Sequence, residues 1–150
     1  MSEFFLSSRR HAGFTLIEML IVIVVIAILA VIVIPRLMGA GRRAKEASLR
    51  ANLKQLRDAI ERFEGACAAW PPTLADVMAP DGASISADSD GRGISVDRMG
   101  YTGPYIVTGS GTLPIDPMTG AADWNYSSAT GQVNSSSTLT ATDGSPYATW

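Results

Sequence analysis

Cysteine and histidine are almost missing from this 150-residue chain: each occurs once, as Cys67 and His11. A lone cysteine excludes an intramolecular disulfide in any redox compartment. With a single histidine, placed ahead of the long apolar segment, neither a histidine-based metal cluster nor a Ser/His/Asp set is available. A glycine loop that could cradle phosphate in front of a helix is missing too. Charge is absent from Met19 through Ile34. Catalytic, redox and nucleotide-binding chemistries are therefore excluded as first readings, and the protein is expected not to be an enzyme.

What the chain has in quantity is one apolar run. From Phe14 to Ile34 it offers 21 residues, about 31 Å as a helix, enough to cross a bilayer. The hydrophobic fraction of 47% and mean hydropathy of +0.17 are concentrated there. A cleaved secretory signal would have a shorter core and small residues after it, whereas this run flows directly into a second helical pattern. One residue breaks the run: Glu18, about one turn inside its start. A carboxylate costs about 2.5–3.5 kcal/mol at mid-membrane depth and less toward the interface, so it calls for a partner. If the chain is cut after Gly13, the new ammonium on Phe14 can neutralise Glu18 of another copy.

At these residues, GFTLIEMLIVIVVIAILAVIVIP behind the basic leader SSRRHAG, the chain resembles type IV pilins and the pseudopilins of type II secretion. The resemblance implies that a prepilin peptidase removes residues 1–13 by cutting after Gly13 and methylates Phe14. Phe14, Glu18 and Pro35 would then serve assembly. It also implies a single pass through the bacterial inner membrane, N-terminus cytoplasmic and head periplasmic or on the cell surface. Arg9 and Arg10 agree with that orientation, but Arg36, Arg42, Arg43 and Lys45 crowd the other side, so charge alone leaves it open.

Beyond the apolar run, Pro35 removes a helical N–H and crowds a preceding carbonyl. Gly39 and Gly41 each cost about 1 kcal/mol of helix propensity. Residues 35–41 are a weak link, read either as a gentle kink or as a segment that melts in a filament. Then Leu49, Leu53, Leu56, Ile60, Phe63, Cys67 and Trp70 recur every three or four residues, the stripe of an amphipathic helix over 35–70 that Pro71-Pro72 stops. Glu46 with Arg50 and Asp58 with Arg62 are expected as ion pairs on its wet face. Cys67, on the stripe, reads as a small buried hydrophobe. Residues 36–70 carry eight Lys/Arg against four Asp/Glu, whereas 71–150 carry two against eight. The stem is basic and the head acidic, but without aromatic interleaving no nucleic acid is expected.

The head, 71–150, is rich in Gly, Ser, Thr, Pro and Asp. Thr73 and Asp76 suggest a partial capping box over 73–78. Residues 80–100 read as a solvated loop, since Asp81, Asp88, Asp90 and Asp97 lack EF-hand spacing. Four β-like pieces follow at 104–108, 112–115, 123–127 and 132–135, with Trp124 and Tyr126 on one face. The expected fold is α+β: one long N-terminal helix, membrane-spanning in its first half, packed against a small antiparallel sheet with a loop-rich C-terminal region.

Gly103-Pro104-Tyr105, Leu113-Pro114-Ile115-Asp116-Pro117, the Trp124/Tyr126 pair before Gly131-Gln132-Val133, and Trp70-Pro71-Pro72-Thr73 are similar to the head of the major pseudopilin, the G subunit. That resemblance implies a calcium ion in the C-terminal loop, for which Asp143 in Asp143-Gly144 is the candidate ligand. The 135–142 lead-in does not reproduce the family spacing, so calcium stays open, no cofactor is otherwise required, and Asp116 is expected to cap a turn. The function implied is a structural subunit of a pilus-like filament, the major pseudopilin of a type II secretion system, driving export of folded proteins. Its partners would be further copies of itself, the prepilin peptidase, an inner-membrane assembly platform with its ATPase, and minor pseudopilins. The alternatives are a type IV pilin of a surface pilus for adhesion, motility or DNA uptake, or a membrane-anchored binding head that never polymerises.

Overall fold

The computed structural model describes residues 14–150; the leader, with Gly13, lies outside them. The chain divides into one unit ending at Ala40 and a second, Gly41–Trp150. A single helix, α1 (Leu16–Cys67, 52 residues), contributes to both. From Met19 to Ile34 its side chains are apolar on every side, and the large ones are exposed, Met19 at 43% and Ile34 at 56%. Mean hydropathy reaches 3.5 over its most apolar window. A helix without a polar face has no use for water, so its natural solvent is lipid. The helix runs unbroken through Pro35, Gly39 and Gly41. The expected weak link is thus helical in the single chain.

In the second unit the stripe behaves as its spacing requires. Leu49, Leu53, Leu56, Ile60, Phe63 and Cys67 are all buried. Leu49, Leu53, Leu56 and Ile60 pack with Leu74, Val77, Ile106, Val133, Ala141 and Tyr147. Phe63 and Cys67 pack with Ala69, Ala79, Ile85 and Val96, and Tyr101 and Tyr105 close over them. The three rings meet at tilted or edge-on angles with centroids 5.2–6.3 Å apart, the favoured arrangement for aromatic quadrupoles. Each fully buried Leu, Ile or Phe contributes about 1.5–3 kcal/mol. The thiol of Cys67 is pushed up to about 11 by burial, with Asp97 adding to the shift.

Only two of the four β-like pieces form strands. β1 (Asn125–Ser127) and β2 (Gln132–Asn134) pair antiparallel, with Tyr126 opposite Val133. Gly131 closes their turn at φ 69°, and a Cβ there would lie 2.6 Å from the Trp70 ring, so both backbone and space demand glycine. Residues 104–108 and 112–115 are irregular because their backbone groups are used elsewhere. The N–H groups of Tyr105 and Ile106 both donate to Val77 O, at 2.9 and 3.3 Å. The carbonyls of Pro114 and Ile115 accept from Trp124 Nε1 and Asn52 Nδ2. The rest of the head is made of short 3₁₀ turns and loops.

α1 stops at Cys67, three residues before the expected Trp70. Ala68 turns left-handed at φ 58° while its N–H still reaches Glu64 O at 2.8 Å, a single-bond αL cap with alanine where glycine is usual. The freed Cys67 carbonyl accepts Asp97 N–H at 2.9 Å. Left-handed backbone costs a residue with a Cβ about 1–2 kcal/mol, and Ala68 is exposed. We therefore expect Ala68→Gly to stabilise the head by about 0.5–1 kcal/mol after the extra unfolded-state freedom of glycine is subtracted. Thermal melts of the two full-length chains in detergent check this.

Candidate functional site

The first turn of α1 is built by Thr15 and Glu18. Thr15 precedes the helix and Glu18 is its third residue, the Thr-x-x-Glu pattern of a capping box. Thr15 Oγ1 accepts the Glu18 N–H at 3.2 Å, and Thr15 O accepts Met19 N–H at 3.2 Å. One of the orphan donors of the helix start is thereby satisfied by a side chain. The sequence carried this signal, and our reading of Glu18 as a stranded acid passed over it. The backbone of Glu18 is occupied; its carboxylate is not, having no donor among the described residues and standing exposed. It lies in the first turn, where the helix dipole favours a negative charge. Phe14, just upstream, is 74% exposed. The geometry offers a fixed, unneutralised carboxylate at the start of an apolar rod. Pro35 keeps a helical backbone, and Gly13 lies outside the described residues.

The head supplies a second polar centre, around Glu46. Extending the core stripe one step back from Leu49 lands on Glu46, which is why this acid is 8% exposed rather than on the wet face. Its Oε1 accepts Thr142 N–H at 2.8 Å, Thr142 Oγ1 at 2.6 Å and the buried Tyr147 hydroxyl at 2.8 Å. Arg42 Nε stands 3.6 Å away and its guanidinium also holds the carbonyl of Thr140. The Thr142 hydroxyl, against burial and helped by Tyr147, holds the Glu46 carboxyl below its usual range.

The expected Glu46/Arg50 and Asp58/Arg62 pairs do not form. Glu46 pairs with Arg42, Arg50 Nη2 faces Asp143 at 3.9 Å, and Asp58 takes Lys54 at 3.5 Å. Arg50 also lies 4.3 Å over the Trp150 ring, and Arg57 donates to the backbone oxygens of Val133 and Trp150. Residues 140–150 are thus fastened to α1 by a buried acid and three arginines.

Asp143, the calcium candidate, belongs to that arrangement. One oxygen of Asp143 accepts Ser145 N–H and Oγ at 2.9 and 2.6 Å; the other faces the Arg50 guanidinium. The Ser145 hydroxyl chiefly holds this carboxyl low. Calcium takes six to eight oxygens, but the groups around Asp143 are donors and a cation. Among the described residues no three His, Cys, Asp or Glu side chains cluster. In the single chain both Asp143 oxygens are thus already engaged, by Ser145 and by Arg50. Asp116 does cap its turn, as expected: fully buried, it accepts Met118 N–H at 2.7 Å and the Ser135 hydroxyl.

The 80–100 loop is tied down by its own carboxylates. Asp81 accepts from Ser84, Asp97 from Met99 and Gly100, and Asp88 pairs with Arg98 at 2.8 Å. Asp90, expected in a solvated loop, is 6% exposed. It accepts from Trp70 N, Arg92 N, Ile94 N and the Arg92 guanidinium, whose Nη2 lies at 2.6 Å. Nothing in the local sequence marks it. Asp76 likewise gathers the backbone N–H and hydroxyl of both Thr73 and Ser86.

Residues 8–34 match the prokaryotic N-terminal methylation motif. The chain is 27% identical over 110 residues to the type II secretion system core protein G of Pseudomonas aeruginosa, covering 68% of this chain and 78% of that one. It is 36% identical over 59 residues to core protein G of Aeromonas hydrophila, 39% and 41% of the two chains. To the type IV wide pilus major component PilA4 of Thermus thermophilus it is 49% identical over 53 residues, 35% and 38%. No solved structure is matched significantly. The chain is pilin-like and similar to core protein G, and its α+β architecture agrees with that.

Two outcomes follow for the head. Burial raises the Asp90 carboxyl, but Arg92 and the three backbone N–H groups outweigh it and hold it at about 2. A folded-state value below the unfolded one, about 3.9, gives stability that is present above pH 4 and lost as pH falls from about 4 to about 2. Acid melts of the full-length protein should show that loss, with a smaller acid slope and a lower neutral melting temperature in Asp90→Asn. Separately, melting should be indifferent to chelator and added calcium, while Glu46→Ala, which strands Thr142 and Tyr147, should lower the melting temperature at pH 7.

Proposed function

We propose that this chain is a structural subunit of a pilus-like filament, the major pseudopilin of a type II secretion system. The observation that carries the reading is Glu18: a carboxylate held in the first turn of a helix that is apolar from Met19 to Ile34, exposed and without a donor among the described residues. The preprotein inserts with its head outside, is cut after Gly13 and methylated on Phe14, and waits in the inner membrane. Copies are then added to the base of a filament by an assembly platform and its ATPase, apolar helices forming the core and each Phe14 ammonium meeting the Glu18 of a neighbour. Both charges are costly in lipid, and pairing removes most of the penalty. With minor pseudopilins at its tip, the fibre pushes folded cargo. The activity is assembly rather than catalysis.

A surface pilin shares this chemistry. Likeness to the Thermus thermophilus pilin covers 35% of the chain, whereas likeness to core protein G of Pseudomonas aeruginosa covers 68%, into the head. That difference favours secretion. In a host carrying the assembly machinery, the wild type should yield filaments whose subunits begin at methylated Phe14 by mass spectrometry. Glu18→Ala should remain in the membrane fraction and lose the filaments. Subunits retaining the first thirteen residues, or filaments undiminished in Glu18→Ala, would overturn the proposal.

A further inference from the structure

The hairpin of the head carries a pattern that assembly leaves unused. Two asparagines each begin an Asn-x-Ser triplet, Asn125-Tyr126-Ser127 and Asn134-Ser135-Ser136, the acceptor signature for a glycan on the asparagine amide. The two lie side by side, opposite one another in the β1/β2 register. Their surroundings differ. Along residues 123–127 exposed and half-buried positions alternate, the two-residue period of extended chain. Trp124 and Tyr126 are half-buried, with Trp124 Nε1 donating to Pro114 O and the Tyr126 hydroxyl to Pro71 O, each at 2.7 Å. Asp123, Asn125 and Ser127 are all exposed. Asp123 accepts the Thr119 hydroxyl at 2.6 Å, whereas no side-chain hydrogen bond ties the Asn125 amide among the described residues. At Asn134 the amide is half-buried, and its nitrogen donates to Val133 O and Trp150 O at 2.9 and 2.7 Å.

We propose that Asn125 is a glycosylation site, taking an oligosaccharide from a polyprenyl diphosphate donor through a membrane oligosaccharyltransferase. Asn125 Nδ2 forms a bond to the anomeric carbon of the first sugar. The bond from that carbon to the diphosphate oxygen breaks, polyprenyl diphosphate leaves with the electron pair, and one amide proton passes to solvent. Nothing is oxidised or reduced. The Ser127 hydroxyl two residues after the acceptor and the Asp123 carboxylate two residues before it share the exposed side of the chain and give the transferase its handles. The carboxylate can take a charge-assisted hydrogen bond from a cationic side chain of that enzyme. Asn134 has the hydroxyl of Ser136 but Gln132 in place of the acid, and its amide is spent internally. A hairpin with three residues in each strand is weak by itself, so the transferase meets Asn125 before β1 and β2 close. Closure then leaves the bulky, solubilising glycan on the wet side, away from Trp124 and Tyr126. Transfer takes place on the outer side of the inner membrane, and so rests on the reading above that puts the head there.

The test uses the full-length chain in bacterial cells that make a polyprenyl-linked oligosaccharide and its outward-facing transferase, with an exported acceptor of that transferase as internal standard. Arg98 is the last Lys or Arg, so one tryptic fragment holds both asparagines, and electron-transfer fragmentation places the added mass. The wild type should carry the glycan on Asn125 and none on Asn134. Asn125→Gln, Ser127→Ala and Asp123→Asn should each lose it, whereas Asn134→Gln should keep it. Protease added to spheroplasts reports separately whether the head lies outside. A bare Asn125 in a head that the protease reaches, beside a glycosylated standard, overturns the site and leaves the filament reading standing. A glycan on Asn134 alone, or one that survives Ser127→Ala, overturns the assignment. If the protease does not reach the head, the topology and the site fail together.

Discussion

One face of one helix is the constraint under which the head exists. With two strands of three residues each, the head has almost no backbone ladder, so its loops cannot hold one another in place by main-chain pairing alone. The surface from Glu46 to Cys67 replaces that ladder. Leucines and isoleucine fix the distance at which the loops settle, Phe63 anchors the tyrosines at one end, and Glu46 anchors Tyr147 and Thr142 at the other. Between these anchors, buried aspartates do what sheet hydrogen bonds would do elsewhere. Asp76, Asp90 and Asp116 each collect donors from two or more separate segments or turns.

The helix was legible because periodicity is a property of the sequence itself. Its buried positions from Leu49 to Cys67 came from spacing alone, and the membrane-length run from composition. Glu46 could have been found by the same arithmetic: it occupies the next place on the stripe, and treating it as a wet-face partner of Arg50 let residue type override position. The Thr15/Glu18 cap was equally readable. The strands at 104–108 and 112–115 were misjudged because β-like composition says nothing about where backbone groups go: here Val77 O accepts the N–H groups of Tyr105 and Ile106, and Trp124 and Asn52 donate to the carbonyls of Pro114 and Ile115. The burial of Asp90 was not legible because it depends on Trp70, twenty residues away, whose N–H joins the local donors Arg92 and Ile94.

The two acids of the stem show how burial changes what a carboxylate can do. Glu46 is surrounded by donors from its own chain, so its charge is spent internally and stabilises the fold. Glu18 has given only its backbone N–H to Thr15 and keeps its charge outward. One residue type thus closes the head in one unit and stands exposed in the other. The difference is set by what the fold brings to the carboxylate: the Thr142 and Tyr147 hydroxyls, 96 and 101 residues further along the chain, reach Glu46.

The uniform apolarity of α1 from Met19 to Ile34 carries a geometric corollary. A cylinder that is equally greasy at every azimuth has no preferred rotation in a lipid environment, so nothing along that stretch tells a subunit which side to turn toward its neighbour. In the proposed filament, angular bearing would have to come from outside that stretch. Substitutions within the run that keep it apolar would be tolerated in orientation, and a lone polar residue introduced there would act as a competing compass.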